Sequence, residues 1–224
     1  MELILEQMPI VLPALNAGFL QTLKLFIVTL AGSLPLGLII AFGAMSKFKP
    51  LSLFTKLVIW IIRGTPLMIQ LLIIYYFPGL VLDQQWWGSG EKGRFLAAAV
   101  AFIFNYACYF AEIYRGGIQS VPIGQEEAGL VLGMTKSQIF FKVKLLQMIK
   151  RIVPPVSNEI ITLVKDTSLS FVIAIPEMFT VAKQIAAADA SIAALLVAGV
   201  FYYIFNIIVA FVMEHLENRL SYYE

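Results

Sequence analysis

The chain has 224 residues, of which 60% are hydrophobic and 13% charged, with a formal net charge of +2 and a mean hydropathy of +0.85. Soluble domains are roughly half apolar and about a quarter charged, so this composition leaves too little polar surface to cover a globule in water. It excludes a soluble enzyme domain, a disordered chain and, with Cys108 as the one cysteine, an internal disulfide scaffold; the small net charge gives no argument for nucleic acid.

A bilayer-spanning helix takes about 20 mostly apolar residues. The N-terminal stretch 1–17 is apolar and carries Glu2 and Glu6 with no basic residue. It lacks the positive start of a cleavable signal and reads as a segment at the outer interface or as loose chain. Spans are predicted over 18–45, 53–77, 95–114, 156–175 and 193–213. The fourth is interrupted by Glu159, Lys165 and Asp166, whose insertion cost requires a shielded or partly wet position. Gly32, Pro35 and Gly37 in the first span permit a kink and close helix packing.

Basic residues set an orientation. Lys47, Lys49 and Lys56 follow the first span, and Arg115, Lys136, Lys142, Lys144, Lys150 and Arg151 follow the third. The positive-inside rule places these linkers in the cytoplasm, the N-terminus outside and the C-terminus inside, which an odd number of spans satisfies. Trp86 and Trp87 then fall in an outer loop, and Tyr75, Tyr76 and Phe77 form an aromatic belt.

The linker after the third span is too long for a bare connection. Val121-Pro122-Ile123-Gly124 is a turn. A short helix over 125–132 has Glu126 and Glu127 in its first turn and ends at Gly133. A second helix over 136–151 follows, broken by Pro154-Pro155 before the fourth span. The pair is either a plain connector or a compact docking knob.

The residues of this knob resemble the EAA motif of importer-type ABC permeases, which reads E-A-A, three residues, G, nine residues, I-x-L-P. Here Glu127-Ala128-Gly129 leads to Gly133 and, nine residues on, to Val143-Lys144-Leu145-Leu146, with Gly129 in place of the second alanine and Leu146 in place of the proline. Arg63-Gly64-Thr65-Pro66-Leu67-Met68-Ile69-Gln70, the run from Ala111 to Pro122 and Lys165-Asp166-Thr167-Ser168-Leu169 are similar, in the same order, to segments of polar amino-acid permeases. The resemblance covers nearly the whole chain from Gly18. It implies an all-α polytopic membrane protein of type I importer permease fold, with a permease domain over 18–224 whose coupling loop is 118–155.

The resemblance also implies function and partners. The expected assembly has a second permease copy or a homologous one, two cytoplasmic ATP-binding subunits, an external substrate-binding protein and an amino-acid substrate, in the lipid of a prokaryotic cytoplasmic (inner) membrane. The chain has no G-x-x-x-x-G-K-[ST] phosphate loop. It is expected not to be an enzyme and to hold no cofactor, with ATP and magnesium on the partner subunits. Glu126, Glu127, Ala128, Gly133 and Met134 are the expected coupling residues.

Ionisable residues within spans mark a pathway or a partner. Asn105, Tyr109 and Glu112 stand at i, i+4 and i+7 of the third span, and Glu159, Thr162, Asp166 and Ser170 at i, i+3, i+7 and i+11 of the fourth. These two faces are the candidate substrate-binding set, offering carboxylates for an ammonium and donors for a carboxylate. Bland alternatives stay open: Glu112 pairs with Arg115 three residues on, Asp166 braces a helix break, Glu159 is solvated, and Asn105 and Thr162 bond across helices. Arg63, ahead of Gly64 and Pro66, reads as a structural or gating residue at the inner interface. The competing function is an ATP-independent secondary transporter or channel, though internal repeats common in such proteins are not evident.

Overall fold

A computed structural model describes residues 2–88 and 90–220, and the side chains within them except those of 2–7 and 10. The side chains of Glu2 and Glu6 thus lie outside the described residues. The regular elements of the described residues are all helices: α1 Glu2–Ala44, α2 Lys49–Arg63, α3 Leu67–Val81, α4 Gly90–Gln119, α5 Gly124–Val131, α6 Lys136–Ile139, α7 Leu145–Asp166, α8 Met178–Ala188 and α9 Ala193–Leu220. A π-helical turn, Phe140–Lys144, joins α6 to α7, and a 3-10 segment, Thr167–Ile173, follows α7. Among the described residues α1, α4 and α9 are each long and apolar enough to cross a bilayer, and two bent helix pairs bring the number of spans to as many as five.

α4 is the axis of the bundle. Its spanning stretch is 61% buried, against 33% for α1 and 17% for α9. Alanines at 97, 98, 101, 107 and 111 give α4 a narrow surface, and Phe102, Tyr106 and Phe110 fill the spaces beside it. α1 lies along this surface because its glycines admit close approach. A Cβ on Gly37 would stand 2.8 Å from Cβ of Phe110, and one on Gly32 would stand 2.6 Å from Cδ1 of Ile103. Leu25 and Phe26 of α1, Leu163 and Val164 of α7 and Phe205 of α9 complete the core.

Three expectations are corrected. The second span is not one helix over 53–77. α2 and α3 meet at 107°, because Pro66 has no N–H for the helix ladder and biases Thr65 away from helical backbone. Pro154 and Pro155 do not break the chain, since α7 runs through both. The two carbonyls they leave without a helix donor are those of Lys150 and Arg151; Arg151 and Pro154 are exposed, so water can serve that face. The helix expected over 136–151 therefore continues, through the π turn and past the start of the fourth span, to Asp166. α1 likewise runs unbroken through 2–17 and the first predicted span.

The bend after α7 has a local cause. The 3-10 segment ends on Ala174 at φ 53, a left-handed backbone, and α8 leaves at 56° to the preceding helix. Glu177 caps α8, its carboxylate accepting from the backbone N–H groups of Phe179 (2.8 Å) and Thr180 (2.6 Å). Thr180 Oγ1 and the Tyr202 hydroxyl also donate to it, at 2.7 and 2.9 Å. Met178 N–H donates to Thr22 Oγ1 at 3.3 Å. This fully buried carboxylate thus fixes α8 to α9, and the Thr22 contact fixes α8 to α1.

Candidate functional site

Two regions hold the polar side chains the sequence singles out. The first lies between α4, α7 and the α2–α3 corner. The Tyr106 hydroxyl donates to Asp166 Oδ2 at 2.7 Å, linking the buried centre of α4 to the last residue of α7. Glu159, half-buried and two turns earlier on α7, acts electrostatically on both Tyr106 and Asp166 and is in reach of Arg63. The Arg63 guanidinium stands 5.1 Å over the Tyr109 ring, a cation–π geometry. Asp166 and Tyr109 thus lie against Tyr106, the two rings 6.3 Å apart, with Arg63 over the far ring and Glu159 on the facing turns of α7.

The other candidate residues are engaged differently. Asn105 Nδ2 donates to Gln70 Oε1 at 2.9 Å. Gln70 Nε2 in turn donates to the Ile62 carbonyl at 2.8 Å and to Thr65 Oγ1 at 2.9 Å. The Asn105–Gln70 pair, nearly fully buried, braces the α2–α3 corner, the Gln70 amide donating to backbone carbonyls that the bend leaves free. Glu112 forms an ion pair with Arg115 on the next turn, and Arg115 also reaches Gln119 at 2.7 Å. Ser170 is buried and donates to Thr167 O at 2.8 Å inside the 3-10 segment. Thr162 donates to Asn158 O at 2.9 Å within its own helix. Beside Glu112 a cavity of about 370 Å³ is lined by Lys56, Ile59, Trp60, Arg63, Glu112 and Arg115.

Tyr106 and Gln70 are the participants that sequence reading missed. Tyr106 is one residue off the Asn105–Tyr109–Glu112 stripe, and Phe102 and Phe110, one turn away on either side, disguise it as core. Gln70 closes the Arg63–Gln70 motif, but its partner is 35 residues away in sequence. The set offers carboxylates that suit a cationic group and a guanidinium that suits an anionic one, with aromatic faces between.

The second region is the knob. Thr135 and Gln138 form a reciprocal capping box, the Thr135 N–H donating to Gln138 Oε1 at 2.8 Å and Gln138 N–H to Thr135 Oγ1 at 3.3 Å. α5 is closed off two residues after Val131 by Gly133, whose φ of +74° suits glycine. Glu126 forms an ion pair with Lys144, and that bond, with the charge of Lys144, holds the Glu126 carboxyl below the usual carboxylate range. Arg151 donates to the Ser120 carbonyl across the base of the knob. Gly129 is buried against Ile139. Glu127, Ala128 and Gly133 stay exposed and Met134 partly so. Around them Ile123, Val131 and Leu132 expose 74%, 87% and 79% of their surface, an apolar patch rimmed by polar groups that suits a protein partner.

Residues 33–222 match the family described as binding-protein-dependent transport system inner membrane component. The chain is 38% identical over 216 residues to the L-cystine transport system permease protein TcyB of Bacillus subtilis (strain 168), covering 94% of this chain and 88% of that protein. It is 32% identical over 215 residues to the arginine transport system permease protein ArtQ of the same organism, covering 94% of each. A crystal structure of an amino acid ABC transporter with histidines superposes at a TM-score of 0.84, with 31% identity over 95% of this chain and 97% of that one.

Proposed function

The chain belongs to the binding-protein-dependent transport system inner membrane component family, and from that premise we propose that it is the permease subunit of an ATP-driven importer carrying polar amino acids into the cytoplasm by alternating access. The observation that carries this reading is a connection. The helical run Lys136–Ile173 begins in the knob beside Glu126 and holds Glu159 and Asp166 near its far end. A partner that moves the knob moves the carboxylates with it. The chain itself is not an enzyme; ATP and magnesium belong to the partner subunits, and coupling arises because nucleotide favours one pore state over another.

The family works with ATP-binding and substrate-binding partners. In our reading two ATP-binding subunits dock on two such knobs, through Glu127, Ala128, Gly133 and Met134 and the exposed Val131 and Leu132, while Glu126 holds the knob in shape. A second permease, identical or homologous, completes the pore, and an external binding protein delivers the solute. The protein sits in a prokaryotic inner membrane, with the N-terminus outside and the 118–155 loop and C-terminus in the cytoplasm. Glu159, Asp166, Tyr109 and Thr162 face the solute; Asn105, Glu112 and Ser170 act from beside that set through the bonds described above. An ATP-independent transporter has no observation in its favour.

The test is uptake by the reconstituted assembly, with unlabelled amino acids as competitors. Uptake should need ATP, and Asp166→Asn should slow it while the ATP-binding subunits still co-purify. Accumulation against a gradient by this chain alone would overturn the proposal.

A further inference from the structure

We propose that the cavity between α2 and α4 binds the phosphate of an anionic phospholipid. Lys56, Ile59, Trp60 and Arg63 fall at i, i+3, i+4 and i+7, one stripe of α2, and face Glu112 and Arg115 of α4 across about 370 Å³. The lining holds three cations and one carboxylate, so the cavity carries an excess of positive charge even with the Glu112–Arg115 pair formed. Arg63 is held over the Tyr109 ring at 5.1 Å, which fixes its fork at the cavity wall, and a guanidinium is well matched to phosphate oxygens.

The surroundings favour a lipid over free phosphate. α2 meets α3 at 107°, so where α3 crosses the bilayer α2 lies along its surface. On α2, Leu53, Phe54 and Trp60 expose 72%, 65% and 76% of their surface. An amphipathic helix with an exposed indole beside basic residues is the geometry of an interfacial helix. A lipid would engage the cations with its headgroup and these side chains with its acyl chains. Inorganic phosphate would leave the apolar surface uncovered. The assignment of the lipid's leaflet to the cytoplasmic side rests on the orientation proposed above; binding itself does not.

The purified assembly is exchanged into an equal mixture of phosphatidylglycerol and phosphatidylcholine, and retained lipid is read by native mass spectrometry. Wild type should retain phosphatidylglycerol preferentially. Lys56→Gln should cut that retention about fivefold, the effect of one basic residue at an anionic surface, and Lys56→Arg should restore it. Trp60→Ala should also weaken it, whereas Lys47→Gln, outside the cavity, should not. Equal retention of the two lipids, or equal losses in Lys56→Gln and Lys47→Gln, would overturn the site. Full displacement by inorganic phosphate with Trp60→Ala behaving as wild type would assign the cavity to phosphate alone, and displacement by a mixture of free amino acids would assign it to the solute path; either overturns the lipid proposal. Because the measurement uses neither nucleotide nor uptake, its failure is separate from failure of the transport reading.

Discussion

Replacing Gly129 with alanine should loosen the knob, although alanine is the better helix former. In an open helix the exchange gains about 1 kcal/mol. Here the new methyl carbon would fall 2.6 Å from Cγ1 and 2.9 Å from Cδ1 of Ile139. Ile139 is 1% exposed, so it has little room to withdraw, and overpacking of this kind costs about 1–3 kcal/mol. The balance is a net loss of up to roughly 2 kcal/mol, which corresponds to as much as about thirtyfold faster opening. Ile139→Ala alone should cost about 2–5 kcal/mol as a core truncation. The double variant removes the clashing atoms and puts a methyl into the vacated space, so it should be less damaged than the sum by about 1–3 kcal/mol. Hydrogen exchange of the amides over 124–139 in the purified assembly measures each opening energy. Slower exchange in Gly129→Ala, or strict additivity in the cycle, would refute the packing argument.

Other expectations follow from the same geometry. Gly133→Val places a β-branched residue at a φ of +74° and should destabilise the end of α5 by about 1–2 kcal/mol or more, seen as faster exchange at 130–134 and weaker co-purification of ATP-binding subunits. The Glu126 carboxyl is lowered by Lys144, so this pair supports the knob fully above the ordinary glutamate value of 4.5 and loses its effect as the pH falls through the lowered value. Exchange rates of wild type and Glu126→Gln should therefore differ at neutral pH and converge in acid; a constant gap would refute the pairing. Tyr106→Phe removes the bond to Asp166 and should cost about 1–3 kcal/mol, read as a lower melting temperature together with slower uptake. Glu177→Gln replaces one acceptor oxygen by a donor amide among four inward-pointing donors; at least one is left unpaired, and melting should fall by an amount corresponding to about 1–3 kcal/mol.

Much of the fold is legible in the sequence because apolar length is a direct requirement of the bilayer. The corner at Gly64-Thr65-Pro66 is marked by its breakers, but its 107° angle depends on Gln70 and Asn105, which meet only after α3 and α4 pack. Pro154-Pro155 is misleading for a local reason: proline disrupts a helix when its freed carbonyls are stranded, and here one face of the turn is exposed. In the site, the Glu112–Arg115 pair is readable from i, i+3 spacing, and Asp166 is where a helix break is expected. Tyr106 is not readable, because a tyrosine among Phe102, Ala107 and Phe110 has the signature of core, and only the arrival of α7 gives its hydroxyl a partner. Lys56 and Arg63 read as interface cations; that they close on one cavity depends on α2 turning across the end of α4.

The run from Lys136 to Asp166 also has a mechanical consequence. At 1.5 Å per residue it is a rod of about 45 Å, so a tilt of about 5° about one end sweeps the other through about 4 Å. No loop interrupts it, and only the π turn and the paired prolines soften it. With the function proposed above, such a lever would make the stroke at Asp166 a matter of angle and fulcrum, so inserting a single residue between Arg151 and Asn158 should rotate Glu159 and Asp166 by about 100° relative to the knob and slow uptake while ATP-binding subunits still co-purify.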